Sequence, residues 1–255
     1  MMKALLVVMT MTGTEYNVNM PDMKTCMEQA RIVSSQKTEV EVLCIPGADV
    51  TDRVEEPFRE FLFRNSISKV SLIFLFIFFF KFGDVIAGVM ANPFYVKIGF
   101  SNIEIANASK VFGVIMTILG VFIGGYFVKI FGILKSLLIS GFFQVFSNLL
   151  YVLLNYMGPE LSYLFLTVAG ENFSGGLGSA AFVAYLSSLC NRKYTGTQYA
   201  LLSSIMGLAR AILSSPSGYL VEYIGWSKFF IISTFLGLPS IIILFWMFKM
   251  FPLKD

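Results

Sequence analysis

The chain has no histidine, three cysteines and charged residues at only 14% of its 255 positions. Without histidine there is no imidazole to serve a nucleophile as base, and no histidine-containing metal set. Cys26, Cys44 and Cys190 show neither metal nor redox spacing. The shortage of charge, with 56% apolar residues and a mean hydropathy of +0.74, is outside the usual composition of a soluble domain. One run, Gly176-x-Gly178-x-x-Ala181, nominally fits a dinucleotide fingerprint, but no strand precedes it and it lies in an apolar segment. No enzyme chemistry, metal, cofactor or nucleic-acid partner is therefore expected.

What the chain has instead is length in apolar runs. Six spans of roughly twenty or more residues are predicted at about 68 to 91, 108 to 128, 134 to 156, 161 to 189, 196 to 222 and 228 to 249. Runs such as SLIFLFIFFF lack the alternation of barrel strands, so the spans are read as helices. They also lack the polar outer faces of a soluble bundle. The fold class is an all-α membrane protein with a small N-terminal module.

That module occupies residues 1–48. MKALLVVMTMTGTEYNVNM reads as two strands with a turn near Gly13, PDMKTCMEQARIVSSQ as a short helix, and TEVEVLCIPG as a third strand, giving ββαβ. Its apolar start is short for a signal peptide, and no clean cleavage site follows. Cys26 and Cys44 can meet if the helix packs on the third strand, although a cytoplasmic location would keep them reduced. Residues 49–66 form a linker and interfacial helix, in which Phe58, Phe61 and Leu62 can share a face while Arg59 and Arg64 lie among lipid headgroups. The membrane part is residues 67–255.

Lysine and arginine collect on one side of the spans. With the N-terminus inside, the inner side holds Arg53, Arg59, Arg64, Lys69, Lys129, Lys135, Arg192, Lys193, Lys249 and Lys254, whereas the outer side holds Lys97 and Lys228, and Lys110 is assigned to neither. Both termini are therefore expected in the cytoplasm. GYFVKIFGILK (125–135) is echoed by GYLVEYIGWSK (218–228), one after the second span and one after the fifth, so the copies face opposite sides. This predicts an inverted repeat of three plus three helices.

Four charges interrupt the spans: Lys81, Asp84, Glu171 and Arg210. At about 1.5 Å per residue all four fall in the central to outer layers of a bilayer core about 30 Å thick, where charges mark paired or functional sites. Lys81 and Asp84 share a helix face and can pair locally. Glu171 is the proton-coupling candidate, with Arg210 as the approaching cation. Gln144, Asn148, Asn172 and Gln198 supply amides suited to a polar solute, with interhelical hydrogen bonding as the competing role. Tyr185 and Tyr199 are weaker candidates. Gly113, Gly120, Gly124, Gly175 and Gly178 are read as close helix contacts, and Pro216 and Pro239 as kinks.

The stretch from Glu171 to Arg210, ENFSGGLGSAAFVAYLSSLCNRKYTGTQYALLSSIMGLAR, closely resembles the AmpG-type muropeptide permeases. So do FFFKFGDVIAGVMANPFYVKIGF, with Lys81, Gly83 and Asp84, and GFFQVFSNLLY, with Gln144, Ser147 and Asn148. The resemblance covers most of residues 57–250 and matches the second six-helix half of a major facilitator transporter. It implies a bacterial inner-membrane carrier that imports anhydro-muropeptides with the proton gradient. The partners it implies are the lipid bilayer, anhydro-muropeptide or a related small solute, and a second six-helix half. Two other functions stay open: a membrane subunit or fragment that does not transport, and an export carrier for drugs or small solutes.

Overall fold

The computed structural model describes residues 4–10, 15–36, 40–46 and 50–250, and the chain divides into two compact units, Met1–Arg64 and Asn65–Asp255. In the first unit, β1 (Ala4–Thr10), β2 (Glu15–Met20) and β3 (Val40–Pro46) form an antiparallel sheet in the order β2-β1-β3. The register sets Leu6 opposite both Val18 and Cys44. Strand alternation then places Leu6, Val42 and Cys44 on one face, where α1 (Met23–Gln36) packs with Cys26 and Ala30. Asp22 starts α1 by accepting from the Thr25 backbone N–H at 2.8 Å and the Thr25 hydroxyl at 3.0 Å. The turn expected near Gly13 lies outside the described residues.

One expectation changes in this unit. Cys26 and Cys44 are joined as a disulfide, with Cα atoms 6.0 Å apart, because α1 lies directly on β3; reduced thiols had been expected. Helix α2 (Val50–Arg64) runs through Pro57, and the spacing of Phe58, Phe61 and Leu62 sets them along one side of it, although their exposure differs. Phe61 is buried and Leu62 half-buried, whereas Phe58 and Phe63 are exposed. Along α2, Arg59 pairs with Glu55 and Arg64 with Glu60, one turn apart.

The second unit is helical. The first predicted span is longer than expected and broken: α3 (Ile67–Phe79) stops, Phe80 and Lys81 form a bend, and α4 (Phe82–Ile98) continues to Gly99. The second is also longer, since α5 (Asn102–Ala106), a π-helical turn (Asn107–Phe112) and α6 (Gly113–Phe131) make one run from Asn102 to Phe131. Ser101 opens it with a capping box, exchanging hydrogen bonds with Glu104. Then come α7 (Ile133–Met157), α8 (Leu161–Leu189), α9 (Thr195–Ser214), α10 (Ser217–Ile224) and α11 (Trp226–Met250). The fifth predicted span is thus two helices, split at Ser215 and Pro216 because proline has no N–H to continue the ladder. By contrast, α11 stays helical through Pro239.

Among the described residues, four runs are long and apolar enough to cross a membrane: Ile67–Ile98, Asn102–Phe131, Ile133–Met157 and Trp226–Lys249. The 29-residue α8 has the length, but Glu171, Asn172 and its serines lower its hydrophobicity. The two echoed segments share a backbone. Gly132 ends α6 at φ 78°, ψ 169°, and Gly225 ends α10 at φ 82°, ψ 165°. Each glycine N–H donates to a valine carbonyl four residues back, Val128 or Val221, and each carbonyl accepts from the residue four ahead. A left-handed φ at both corners is the reason for glycine at both.

Close approach of α6 to α8 organises the unit. A Cβ on Gly124 would lie 2.6 Å from the Leu177 carbonyl oxygen, one on Gly120 would strike the Phe173 carbonyl, and one on Gly113 would lie 3.1 Å from Asn172. From the other side, Gly176 faces the backbone of Thr117 and Gly120, and Gly178 faces the Gln144 amide. Gly175 was expected to be a packing residue, but nothing lies within 4 Å of its Cβ position. The neighbouring Gly176 has that role. An aromatic cluster ties α4, α7 and α11: the Tyr151 ring stacks on Phe230 at 4.5 Å, and Phe94 meets Phe230 edge-on at 4.7 Å.

Candidate functional site

A polar concavity of about 410 Å³ lies among α4, α6, α8 and α9. Helix periodicity builds its walls. On α8, Glu171, Gly175 and Ser179 are spaced by four and stack along one stripe. On α4, Asp84 and Gly88 do the same, and Lys81 enters from the bend before α4. Thr117 comes from α6, and Arg210 comes from α9. Lys81, Asp84, Glu171 and Arg210 thus line one cavity although they are separated by as many as 129 positions.

Their pairings differ from those expected. The Lys81 ammonium donates to the Ser179 hydroxyl at 2.6 Å and to the Gly175 carbonyl at 3.4 Å, and no ion pair with Asp84 forms among the described residues. Lys81 sits at the bend just before α4, from which its ammonium reaches across to α8. Glu171 does not pair with Arg210 either. The Tyr151 hydroxyl, from α7, donates to Glu171 Oε2, while Glu171 Oε1 lies 3.4 Å from where a Cβ on Gly88 would be. Arg210 is exposed at the cavity margin. Asn172 also lines the cavity, with its side chain braced by Val168 and Thr117 at 2.9 and 3.1 Å.

The other amides lie elsewhere. Gln144 is buried against Gly178, Asn148 is buried near Gly83, and Gln198 is buried with its oxygen accepting from the Asn191 N–H at 2.7 Å. Tyr185 is buried against Phe76 and does not line the cavity, and Tyr199 does not line it either. Sequence reasoning missed Tyr151, Ser179, Thr117 and Gly88. Tyr151 was within reach of a pattern, since it extends the stripe of Gln144, Ser147 and Asn148 by one helical turn. Thr117 and Gly88 carry no local signal and are set by helix approach.

The four charges of this cavity lie within largely apolar helices, where ionisable side chains mark paired or functional sites. The profile of the Major Facilitator Superfamily matches residues 60–254. The chain belongs to this superfamily. The superfamily is one of membrane transporters and not of enzymes. It is similar to AmpG-type transporters. It is 37% identical over 194 residues to "Putative transporter AmpG 4" of Rickettsia conorii, covering 76% of this chain and 46% of that protein. It is 39% identical over 184 residues to "Putative transporter AmpG 1" of Rickettsia prowazekii, covering 71% and 42%. It is 35% identical over 192 residues to "Anhydromuropeptide permease" of Escherichia coli strain K12, covering 75% and 38%. The chain spans less than half the length of these relatives. Its place is a bacterial inner membrane, crossed more than once.

Proposed function

We propose that this major facilitator chain forms one six-helix half of a proton-coupled importer of anhydro-muropeptides. The observation that carries the reading is the cavity in which Glu171, Asp84, Lys81 and Arg210 meet, in a chain 35% identical to a protein named anhydromuropeptide permease. Lys81 and Arg210 suit carboxylates on a sugar-peptide cargo, and Asn172 suits its amide and hydroxyl groups. Glu171 carries the proton. Gln144, Asn148 and Gln198 act behind this surface, by holding the helices that form it.

The architecture proposed with this function has six spans: α3–α4, α5–α6, α7, α8, α9–α10 and α11. Their 3+3 inverted relation is supported by the matching glycine corners at Gly132 and Gly225. Both termini face the cytoplasm, residues 1–48 form a soluble module, and 49–66 lie at the membrane surface. A second six-helix half completes the cavity, as the greater length of the relatives suggests. Uptake of labelled anhydro-muropeptide into vesicles carrying the chain, with and without a second six-helix chain and with the outside acidic, tests the reading. Accumulation that needs both the second chain and the gradient is expected. No uptake under any combination would favour a membrane subunit that does not transport, and efflux from loaded vesicles alone would favour an exporter.

A further inference from the structure

Glu171 is held from the side opposite its cavity. Its Oε2 accepts from the Tyr151 hydroxyl, and Tyr151 is fully buried. The Tyr151 ring has little freedom: Phe230 stacks on it at 4.5 Å and 6°, Tyr95 at 6.2 Å and 19°, and Phe94 meets it edge-on at 6.0 Å. A phenol clamped in this way fixes the direction of its hydroxyl and therefore the plane of the carboxyl it holds. The other oxygen, Oε1, faces Gly88, which lines the cavity and leaves space where any other residue would place a Cβ 3.4 Å away. The two oxygens of Glu171 are thus unequal. One is tied to the aromatic cluster and one is turned to the site.

We propose that Tyr151 is a positioning residue that makes Oε1 the oxygen of Glu171 that takes up and gives back the proton. This inference rests on the reading that Glu171 exchanges a proton. A carboxylate accepts through both oxygens, but a protonated one keeps only its carbonyl oxygen as a full acceptor. With Tyr151 donating to Oε2, the neutral acid is stable with C=O at Oε2 and O–H at Oε1. The proton arrives from the cavity, bonds to Oε1, and leaves by the same opening past Gly88, while the Tyr151 O–H bond stays intact throughout. Charge on the cavity side then follows the proton on Oε1. Lys81 and Asp84 face Glu171 across the cavity from the α4 end, Arg210 faces it from α9, and Tyr95 lies behind Tyr151 on α4. The neighbours from α6 and from α8 itself, Thr117 and Asn172, do not titrate.

Infrared difference spectra of the full chain in lipid vesicles, recorded across a pH titration, read this directly. Glu171→Gln identifies the protonated-carboxyl C=O band by removing it. Tyr151→Phe keeps the ring stacked on Phe230 and removes only the donor, so the band is expected to shift to higher wavenumber; an unmoved band overturns the proposal. Gly88→Ala adds a Cβ at ordinary contact distance from Oε1. It is expected to leave the band position unchanged and to slow its deuterium exchange several-fold, whereas unchanged exchange places the proton on Oε2 and also overturns the proposal. If Glu171→Gln leaves every titrating carboxyl band in place, the underlying reading of Glu171 fails instead, and that result is distinguishable from the other two.

Discussion

At the scale of single residues, the glycines separate into those that touch a backbone and those that touch nothing. Gly120 lies so close to Phe173 that an added Cβ meets a carbonyl oxygen, which cannot swing aside as a side-chain tip could. Gly120→Ala is expected to force α6 from α8 and to cost about 1–3 kcal/mol, seen as a lowered thermal midpoint in detergent. Gly175→Ala, with no atom within 4 Å, is expected to leave that midpoint unchanged within error. The sequence displayed all these glycines alike. Only the rotation of α8 against α6 decided that Gly176 packs and Gly175 faces the cavity. Glu171 belongs to the same scale: Glu171→Gln is close in size and can still accept from Tyr151. In an assembled carrier it is expected to abolish proton-driven uptake while leaving cargo binding measurable, and full uptake by the variant would remove Glu171 from the proton pathway.

At the scale of elements, the breaks explain more than the spans do. The bend at Phe80–Lys81 turns the Lys81 ammonium toward Ser179 of α8, and the split at Ser215–Pro216 ends α9 one turn beyond Arg210. A proline announces the second break, whereas nothing in FFFKFGD announces the first. The start of α1 gives a prediction about pH. The Thr25 backbone N–H and then its hydroxyl hold the Asp22 carboxyl below its ordinary value of 3.8. A carboxyl lowered on folding stabilises α1 at pH above that ordinary value and loses its effect as pH falls through the lower, folded value. Asp22→Ala is therefore expected to reduce α1 stability near neutral pH and to make no difference in strong acid, as helix signals in a pH titration would report. The same unit tests topology. Cys26 and Cys44 are already placed for a disulfide, so their state reports the compartment around them. In the purified, denatured chain Cys190 is expected to be the one of the three that reacts with maleimide while the disulfide is intact, and all three after reduction; reaction of all three on rapid lysis would report a reducing surrounding.

At the scale of the whole molecule, the cavity is made by α4, α6, α8 and α9, of which α8 and α9 are consecutive and the others are not. Two of them, α8 and α9, are absent from the runs that are apolar enough to cross a membrane by composition. Polar lining residues such as Glu171, Asn172 and Ser179 lower the hydrophobicity of α8, whereas α4 and α6 line the same cavity from runs that stay apolar enough. The expected consequence is that this chain co-purifies with a second six-helix chain, measured as a mass increase in detergent. Uptake should appear with the complex and be lost when either chain is withheld. A monodisperse monomer that binds no muropeptide would contradict the split-carrier reading.

Composition and periodicity alone determined that this chain is helical and apolar enough for a bilayer, and its motifs led to a transport family, because both depend on residue type and local spacing. They also picked out Lys81, Asp84, Glu171 and Arg210, since a charge in an apolar run is visible without coordinates. Which of these pair, and with what, was decided by tertiary structure. Lys81 bonds Ser179 nearly a hundred positions away, and Glu171 is held by Tyr151 from another helix. Such partners depend on helix rotation and on bends of a few residues, and a rotation of one position in a helix turns a side chain by about 100°, from a cavity into a packed interface.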